Sequence, residues 1–501
     1  MSTKVTYSKN VILTIANRSA EGVLALIMTS LIIRILGQED MGIFYMISSV
    51  FMMFAVFSEF GSRLIIVREI SKNKDKAPLL LSSALLMRGA LTFISLFCLL
   101  FFVNLKWDSD YALYGSYIYV FWLIPFSISE VLHAVFTGFE RNEYSVAASL
   151  PSKLIGCLMS IGVILVGRNL IPVFAVLTLS AIIRPLISFY LLRKKLFIPK
   201  LIINIENIVF LFKESFPLAI MNGIPQLYDK AGMIILSFTW GDRETGLLGI
   251  IATVNRIFSN LAVNLMMPLL PVLSRLKEED FQKFQNTYRR FLKYLFGLTL
   301  PMGFGISVLA SDIILILFGE NYLKTEPGLQ IIVWSGVIFP FINFFSYINT
   351  SVGDQWLNAK FSLINLAVIL LLCTLFIPTH GFLGVCIANT CASALLVFIF
   401  YRSLIKRSIV SFKFIDIPLK QIIASVCMYF VISYLSGLTT NKNIMFLFSK
   451  IIWLSVSGAF VYFTILFFTG CIDDYDRKSI KEIIVGIKEF CMLKISKITL
   501  H

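Results

Sequence analysis

The sequence predicts an all-α integral membrane protein with about 14 transmembrane helices, arranged as two pseudo-symmetric six-helix bundles plus two C-terminal helices. Of the 501 residues, 57% are hydrophobic and 15% are charged, whereas soluble proteins have about 25% charged residues. The mean hydropathy is +0.84. Apolar runs long enough to cross a bilayer, about 20 residues each, recur along the chain. Short motifs of the first half recur in the second half, which indicates the two pseudo-symmetric bundles.

Helices rather than strands are indicated because the apolar runs, such as 91–103 and 363–376, lack the alternation of a membrane β-barrel. Several predicted segments exceed the thickness of a bilayer, so we expect tilt or extension beyond the membrane. The segments lie near residues 10–36, 41–67, 78–103, 112–138, 146–167, 171–192, 216–240, 246–273, 292–318, 328–351, 360–378, 381–402, 416–437 and 448–470.

Basic loops alternate with loops that carry few charges. Even-numbered loops hold clusters such as that around Lys74 and that from Arg193 to Lys195, whereas odd-numbered loops hold isolated cations such as Lys106. Cytoplasmic loops of membrane proteins carry the excess of lysine and arginine, so both termini are predicted to be cytoplasmic. This topology also accounts for the net charge of +15, and no nucleic-acid partner is expected.

The two halves share an internal repeat. Pro125-Phe126 and Gly138 recur as Pro340-Phe341 and Gly353, at a constant offset of 215 residues. The pair Gly37 and Gly42 recurs as Gly241 and Gly246, at an offset of 204 residues. Six helices are therefore repeated in the same orientation, as in transporters whose binding site lies between parallel halves.

This repeat divides the chain into lobes and connecting segments. Apolar stripes such as Ile205, Ile208 and Phe212 predict that the linker between the lobes lies on the membrane surface, and the tail has a similar stripe. We predict an N-terminal lobe at 1–195, an amphipathic linker at 196–215, a C-terminal lobe at 216–403, helices 13 and 14 at 404–470, and a cytoplasmic amphipathic tail at 471–501.

Polar residues inside the predicted membrane segments follow the helical period. Charge at the bilayer centre costs roughly 2.5–3.5 kcal/mol per residue, so such residues face a partner or a cavity. Stripes on the first, seventh, eighth and tenth helices predict a polar cavity between the halves. The candidate substrate-binding residues are Arg18, Arg256, Lys230, Asn17, Asn222, Asn260 and Asn343.

Cations exceed carboxylates in these stripes, which favours an anionic ligand and above all a phosphate. The candidates for coupling to H+ or Na+ are Asp229, Glu21 and Glu59. Each charge has an alternative role as a structural ion pair between helices. Arg88 and Arg184 are expected to pair within the N-terminal half, and Arg34 and Lys153 to extend to the membrane interface.

Several classes of enzyme are not indicated. The sequence has no Gly-Lys dipeptide for a Walker A loop, no H-E-x-x-H or G-x-S-x-G motif, and no metal-type cluster of cysteine and histidine. No extramembrane segment is long enough for a catalytic domain. We therefore expect a protein without enzymatic activity, cofactor or metal, in which the eight cysteines are mostly small buried hydrophobic residues.

Three short motifs that follow the first, fourth and ninth helices resemble the polysaccharide transporter family: Leu36-Gly37-Gln38-Glu39-Asp40-Met41-Gly42, Gly138-Phe139-Glu140-Arg141 and Leu317-Phe318-Gly319-Glu320-Asn321-Tyr322. This is the Wzx-type O-antigen flippase group of the MOP superfamily, which is related to lipid II flippases and MATE exporters. Members place cations in the first and eighth helices, and the matching positions here are Arg18 and Arg256.

The resemblance implies a V-shaped pair of bundles in the bacterial inner membrane. It implies that undecaprenyl-diphosphate-linked oligosaccharide, an O-antigen or similar repeat unit, is moved to the periplasmic leaflet by alternating access. The expected partners are this lipid, the bilayer, and the polysaccharide polymerase and assembly machinery, and the expected state is a monomer.

The sequence leaves two alternative functions open. A MATE-like exporter of small organic cations, driven by H+ or Na+, would need an acidic and aromatic site, and such exporters usually have twelve helices. A scaffold for glycan assembly would use its buried charges only to hold helices together. Alanine at Arg18 and Arg256 should abolish flipping, whereas a cation exporter should respond to loss of Glu21, Glu59 or Asp229.

Overall fold

A computed structural model of the chain describes residues 21–107, 109–200, 202–266, 279–407, 419–438 and 444–471, together with 273, 275, 276 and 409. Within these ranges all regular secondary structure is helical. The helices are α1 (21–36), α2 (Gln38–Glu59), α3 (Ser62–Lys72), α4 (Ala77–Lys106), α5 (Asp110–Val120), α6 (Leu123–Gly138), α7 (Asn142–Gly167), α8 (Leu170–Lys195), α9 (Ile205–Met266), α10 (Phe281–Val308), α11 (Ala310–Leu317), α12 (Glu326–Ser351), α13 (Gln355–His380), α14 (Phe382–Lys406), α15 (Leu419–Gly437) and α16 (Ile444–Phe468). Short 3₁₀ helices lie at Lys74–Lys76 and Glu320–Thr325.

The predicted fold class is confirmed. In the described ranges, 12 helical stretches are long and apolar enough to cross a membrane. One of them, α9, holds both the seventh and the eighth predicted spans, which meet at a break at Gly241, where φ is +80°. The first predicted span is described only over its second part, as α1. Together these account for the fourteen spans that the sequence predicts.

Three predicted spans contain a break that the sequence did not reveal. The second span is divided at Phe60 and Gly61, both with left-handed backbone, and the fourth and ninth divide between α5 and α6 and between α10 and α11. A Cβ on Gly61 would lie 2.7 Å from the backbone nitrogen of Ala219. The break at Gly61 therefore lets the N-terminal half approach the backbone of α9 closely.

The helices pack as two lobes with an attached pair. We call α1–α8 the N-terminal lobe and α9–α14 the C-terminal lobe, while α15 and α16 pack against each other and against α10 and α11. The lobes meet mainly through α2 and α9. A single buried apolar cluster joins them there, with Met46 and Ile47 on one side and Leu248 and Ile251 on the other.

The first arm of α9 (205–240) includes much of the predicted linker. The helix begins at Ile205 and continues into the seventh span without non-helical backbone before Gly241. Phe212 on this arm stacks on Phe60 with ring centroids 4.7 Å apart. Nearby, Arg68 donates to the Glu214 carboxylate at 3.0 Å. The start of α9 is thus held against the N-terminal lobe.

At the face predicted to be outside the cell, polar contacts close the two lobes together. Lys106 Nζ donates to the Ser237 carbonyl at 2.6 Å, and Trp107 Nε1 donates to the Asp242 carboxylate at 3.0 Å. Arg34 donates to the last carbonyls of α11 rather than extending alone to the membrane interface. Tyr322 Oη donates to the Ile33 carbonyl at 3.0 Å. We call these contacts the outer seam.

Candidate functional site

A polar cavity of about 340 Å³ lies in the C-terminal lobe. Its walls come from both arms of α9 and from α12, α13 and α14, and among the described residues Met52 is the contribution of the N-terminal lobe. The polar residues that line it are Gln226, Asp229, Lys230, Asn255, Arg256, Ser259, Asn260, Ser335, Asn365, Asn389 and Ser393. The backbone break at Gly241 reverses the chain and so places both arms of α9 beside one cavity.

The cavity carries a surplus of positive charge. Lys230 Nζ lies 2.5 Å from the carboxylate of its neighbour Asp229, and the Lys230 side chain is 10% exposed while that of Asp229 is 58% exposed. In the described part of the chain, no carboxylate lies within 4 Å of the Arg256 guanidinium. The lysine and aspartate therefore balance each other, and Arg256 is left to attract an anion.

Amide groups line the deeper part of the same cavity. Asn255 Nδ2 donates to Ser335 Oγ at 3.1 Å, but Asn255 Oδ1 is buried without a hydrogen-bond partner. Asn365 is 4% exposed, and its Oδ1 also has no partner. Both oxygens are enclosed by the neighbouring helices, and Asn255 Oδ1 faces Gly336 of α12, where a Cβ would lie 2.1 Å from it.

An apolar groove of about 530 Å³ lies on the other side of the second α9 arm. Val254, Ile257 and Phe258 of α9 line it, and the remaining walls come mainly from α10, α11, α15 and α16. Tyr462, one of its few polar residues, donates its hydroxyl to the Gly297 carbonyl at 3.0 Å and is therefore satisfied. The groove thus offers a ligand almost purely apolar contact.

The N-terminal lobe contains a smaller cavity of about 210 Å³. Glu21 lies on its wall and forms an ion pair with Lys153 at 2.5 Å, so Lys153 has a partner within the lobe. Arg184 also lines this cavity and donates to Glu130 at 2.9 Å, as expected of a pair within the N-terminal half. Glu59 lies elsewhere in this lobe, half-buried, and no cation of the described residues is within 4 Å of its carboxylate.

The structure brings part of the predicted site together. Asp229, Lys230, Arg256 and Asn260 share the cavity of the C-terminal lobe. Asn222 is exposed on the same helix arm, two turns before Lys230. Asn343 is not among the residues that line the cavity, although Phe339 and Ile342 of the same helix are, and it donates its Nδ2 to the Phe339 carbonyl at 3.0 Å. Arg18 and Asn17 lie outside the described residues.

Several cavity residues were not predicted from the sequence. Each of them lies in an apolar segment and lacks the helical spacing that the predicted polar stripes show. They are Asn255, Ser335, Asn365 and Asn389. A lone amide in a spanning segment is nevertheless a usable signal, because it must face protein or water rather than lipid.

Comparisons with known proteins identify the family and the fold of the chain. A family model described as "Polysaccharide biosynthesis protein" matches residues 7–277, and one described as "Lipid II flippase MurJ" matches residues 250–454. Two bacterial relatives are both named "Putative O-antigen transporter". The one from Shigella dysenteriae is 22% identical over 64% of this chain and 80% of its own length. The one from Escherichia coli K12 is 23% identical over 66% of this chain and 80% of its own length.

Solved structures show the same fold. An inward closed structure of the lipid II flippase MurJ matches with a TM-score of 0.76 and 17% identity, covering 92% of this chain and 100% of that one. An inward-facing MATE family transporter of the MOP superfamily matches with a TM-score of 0.66 and 13% identity, covering 78% of this chain and 96% of that one. With a multi-pass helical fold of this kind and a family model that matches more than half of its length, the chain belongs to the polysaccharide biosynthesis protein family.

Proposed function

We propose that the protein is a flippase that moves undecaprenyl-diphosphate-linked oligosaccharide, an O-antigen or similar repeat unit, across the bacterial inner membrane by alternating access. One observation carries the proposal. Within residues 254–260 of α9, one face lines the cationic cavity and the opposite face lines the apolar groove. A ligand with an anionic, hydroxyl-rich headgroup and a long apolar tail fits two such sites that share a wall.

The diphosphate would bind at Arg256. A guanidinium stays charged when desolvated and can hold phosphate oxygens with paired hydrogen bonds. Lys230 is a weaker candidate because Asp229 already neutralises it at 2.5 Å. Arg18 is proposed as the matching cation of the N-terminal lobe, in keeping with the stripe that it forms with Asn17 and Glu21 in the sequence.

The sugar and the tail would occupy different surfaces. The amide side chains that line the cavity, among them Asn255, Asn260 and Asn365, would contact the sugar, and Asn222 and Asn343 would contact it nearer the opening. The tail would run along the groove between α9 and the added helices α15 and α16. This gives the last two helices a direct role in binding a lipid.

Transport would require the outer seam to open while the opposite face closes. In this proposal the termini are cytoplasmic, the protein acts as a monomer without enzymatic activity, and the polymerase and assembly machinery receive the product. Coupling to H+ or Na+ would use Asp229, Glu21 or Glu59. Asp229 and Glu21 each lie beside a lysine, so a bound cation there would compete with that ammonium group.

The test is transport of a labelled lipid-linked oligosaccharide by the purified protein in vesicles, with and without H+ and Na+ gradients. We expect Arg256→Gln to lower the transport rate at least tenfold, because it removes the cavity cation that forms no ion pair within the described part of the chain. Arg193→Gln, which removes an exposed arginine at the end of α8, is the matched control and should retain the wild-type rate. Undiminished transport by Arg256→Gln would contradict the proposed phosphate site.

A MATE-like exporter of small organic cations is the second candidate. Asp229 favours it, because its side chain is 58% exposed within the cavity and could meet a cationic ligand. In the vesicle assay such an exporter would move an organic cation and leave the lipid-linked sugar in place.

A further inference from the structure

The cavity of the N-terminal lobe is the counterpart of the cavity of the C-terminal lobe. Residues of α1, α2, α5, α6, α7 and α8 line its volume of about 210 Å³. The internal repeat pairs these helices, in chain order, with the two arms of α9 and with α12, α13 and α14. Those are the helices that line the cationic cavity of the C-terminal lobe. Each lobe therefore encloses a cavity at an equivalent position between its helices.

The two cavities differ in their chemistry. Amides line the cavity of the C-terminal lobe, whereas four aromatic rings line that of the N-terminal lobe: Phe44, Tyr119, Trp122 and Phe126. The Trp122 ring is fixed by its neighbours, with its centroid 5.5 Å from that of Tyr119 and 5.7 Å from that of Phe126. It nevertheless stays partly exposed. A ring held in this way can bind a ligand with little loss of conformational entropy.

Polar groups of α1, α7 and α8 line the same cavity. Glu21 and Lys153 form an ion pair at 2.5 Å, so together they add no net charge. The carboxylate of this pair can accept hydrogen bonds and its ammonium group can donate them. Arg184 supplies further donors, and Glu130 balances its charge at 2.9 Å. The cavity thus combines an aromatic wall with charges that are already paired.

A neutral sugar ring has the matching chemistry. The C–H groups on one face of a pyranose pack against the electron-rich face of an aromatic ring, and its hydroxyl groups both donate and accept hydrogen bonds. An organic cation would need a surplus of negative charge, and an acyl chain would cover the polar groups without hydrogen-bonding to them. The cavity is smaller than the roughly 300–1,000 Å³ of sites for drug-sized ligands, so it suits one ring rather than a whole oligosaccharide.

We propose that the N-terminal lobe holds a second sugar subsite. In it, one neutral sugar of the lipid-linked oligosaccharide stacks on Trp122 and forms hydrogen bonds with Glu21, Lys153 and Arg184. This inference rests on the proposed function and adds to it a place for a sugar that the cavity of the C-terminal lobe does not hold.

The helix α2 contributes to both cavities. Phe44 lines the cavity of the N-terminal lobe and Met52 lines that of the C-terminal lobe. These two residues are about 12 Å apart along the helix, at 1.5 Å per residue. Sites this close can hold different sugars of one oligosaccharide while its diphosphate is bound at Arg256.

The experiment measures equilibrium binding of two ligands to the full-length protein in detergent. One is undecaprenyl diphosphate that carries a repeat unit of neutral sugars, and the other is undecaprenyl diphosphate without sugar. We expect Trp122→Leu to weaken binding of the first ligand about three- to tenfold and to leave binding of the second unchanged. Trp122→Phe should retain part of the lost affinity, because it keeps an aromatic ring. Trp356→Leu, at an exposed tryptophan of α13, is the matched control and should bind both ligands as the wild type does.

The variant Arg256→Gln separates this proposal from the proposed function. It should weaken binding of both ligands, since both carry the diphosphate. If Arg256→Gln weakens both and Trp122→Leu changes neither, the phosphate site stands and the sugar subsite is wrong. If Trp122→Leu weakens both ligands equally, its effect is not on the sugar, and the subsite is again wrong.

Cys157 provides a second measurement in case Trp122→Leu fails to fold. It lies on the wall of the cavity and is 6% exposed. In a chain without other cysteines, we expect the glycosylated lipid to slow alkylation of Cys157 by a small neutral maleimide, and the lipid without sugar to leave the rate unchanged. An unchanged rate with the glycosylated lipid, or equal protection by the lipid without sugar or by tetraphenylphosphonium, would overturn the proposal.

Discussion

Gly42 and Asp242 are in direct backbone contact across the two lobes, and a Cβ on Gly42 would lie only 1.7 Å from the Asp242 carbonyl oxygen. The internal repeat produces a second contact of the same kind, in which the C-terminal lobe supplies the glycine and the N-terminal lobe supplies the carbonyl oxygen. A Cβ on Gly246 would lie 2.1 Å from the carbonyl oxygen of Gln38, and each residue of one contact is 204 positions from its counterpart in the other. The lobes therefore touch at the outer seam through two equivalent glycines.

Replacing either glycine should push the outer seam apart. We expect Gly42→Ala and Gly246→Ala to favour the state that is open at this face, because a methyl group cannot fit against the facing carbonyl. The measurement is the labelling rate of a cysteine placed at Gln38, in a chain without other cysteines, by an impermeant maleimide added outside. The rate should rise several-fold. Gly89→Ala is the control, since nothing lies within 4 Å of its Cβ position. Unchanged labelling in both seam variants would show that close glycine contact is not needed for closure.

A cross-link across the seam should stop transport. Arg243 Nε donates to Gln38 Oε1 at 3.2 Å, so cysteines at these two positions lie within reach of a short bifunctional thiol reagent that contains a reducible bond. We expect the cross-linked double variant to lose transport of the lipid-linked sugar and to regain it on reduction. The single variant Gln38→Cys should remain active under both conditions. Full transport by the cross-linked protein would exclude alternating access through this seam.

Neutralising Asp229 should separate the two candidate functions. Asp229→Asn removes the carboxylate that balances Lys230, so the cavity becomes more positive. We expect binding of a labelled lipid diphosphate to tighten by about three- to tenfold, which is a change of about 1 kcal/mol. For an organic-cation exporter, the same variant should lose its ligand. Equilibrium binding of both ligands to the purified variant distinguishes these outcomes.

The ion pair between Lys450 and Asp312 should be essential for the position of the added helices. It joins α16 to α11 at 2.9 Å, with side-chain exposures of 6% and 9%. We expect Asp312→Leu or Lys450→Met alone to lower the free energy of unfolding by about 3–5 kcal/mol, because each leaves one buried charge without its partner.

The double variant Asp312→Leu with Lys450→Met should recover most of that stability, since two apolar side chains replace the pair. Denaturation of the four proteins in a double-mutant cycle measures the coupling. If the single variants are as stable as the wild type, the pair does not hold α16 against the lobe.

The sequence was sufficient for the number and type of helices because each span needs a long apolar run. It could not locate the break at Phe60, since a left-handed backbone at a phenylalanine is imposed by packing around it. It also treated the linker as a separate element. The structure joins that segment to the seventh span, because no glycine stands between Ile205 and the membrane to end the helix earlier.

The sequence predicted residues of the candidate site only where polar residues repeat at helical spacing. That spacing places Asp229 and Arg256 on defined faces of their helices, but it does not say which neighbouring helices those faces meet. The structure supplies this information, with α12, α13 and α14 completing the walls. Asn365 could not be found in this way, because a single amide has no helical period.

The first arm of α9 is one continuous helix of about 50 Å, at 1.5 Å per residue. Its start is held to the N-terminal lobe by Phe60 and Arg68, and its far part carries the Asp229–Lys230 pair. Pro217 and Pro225 lie between these two points, and each lacks the N–H that an α-helical hydrogen bond needs, so the arm bends most easily there. A tilt of one lobe therefore reaches the charge pair through a helix with two hinge positions, which couples the two without making them move as one body.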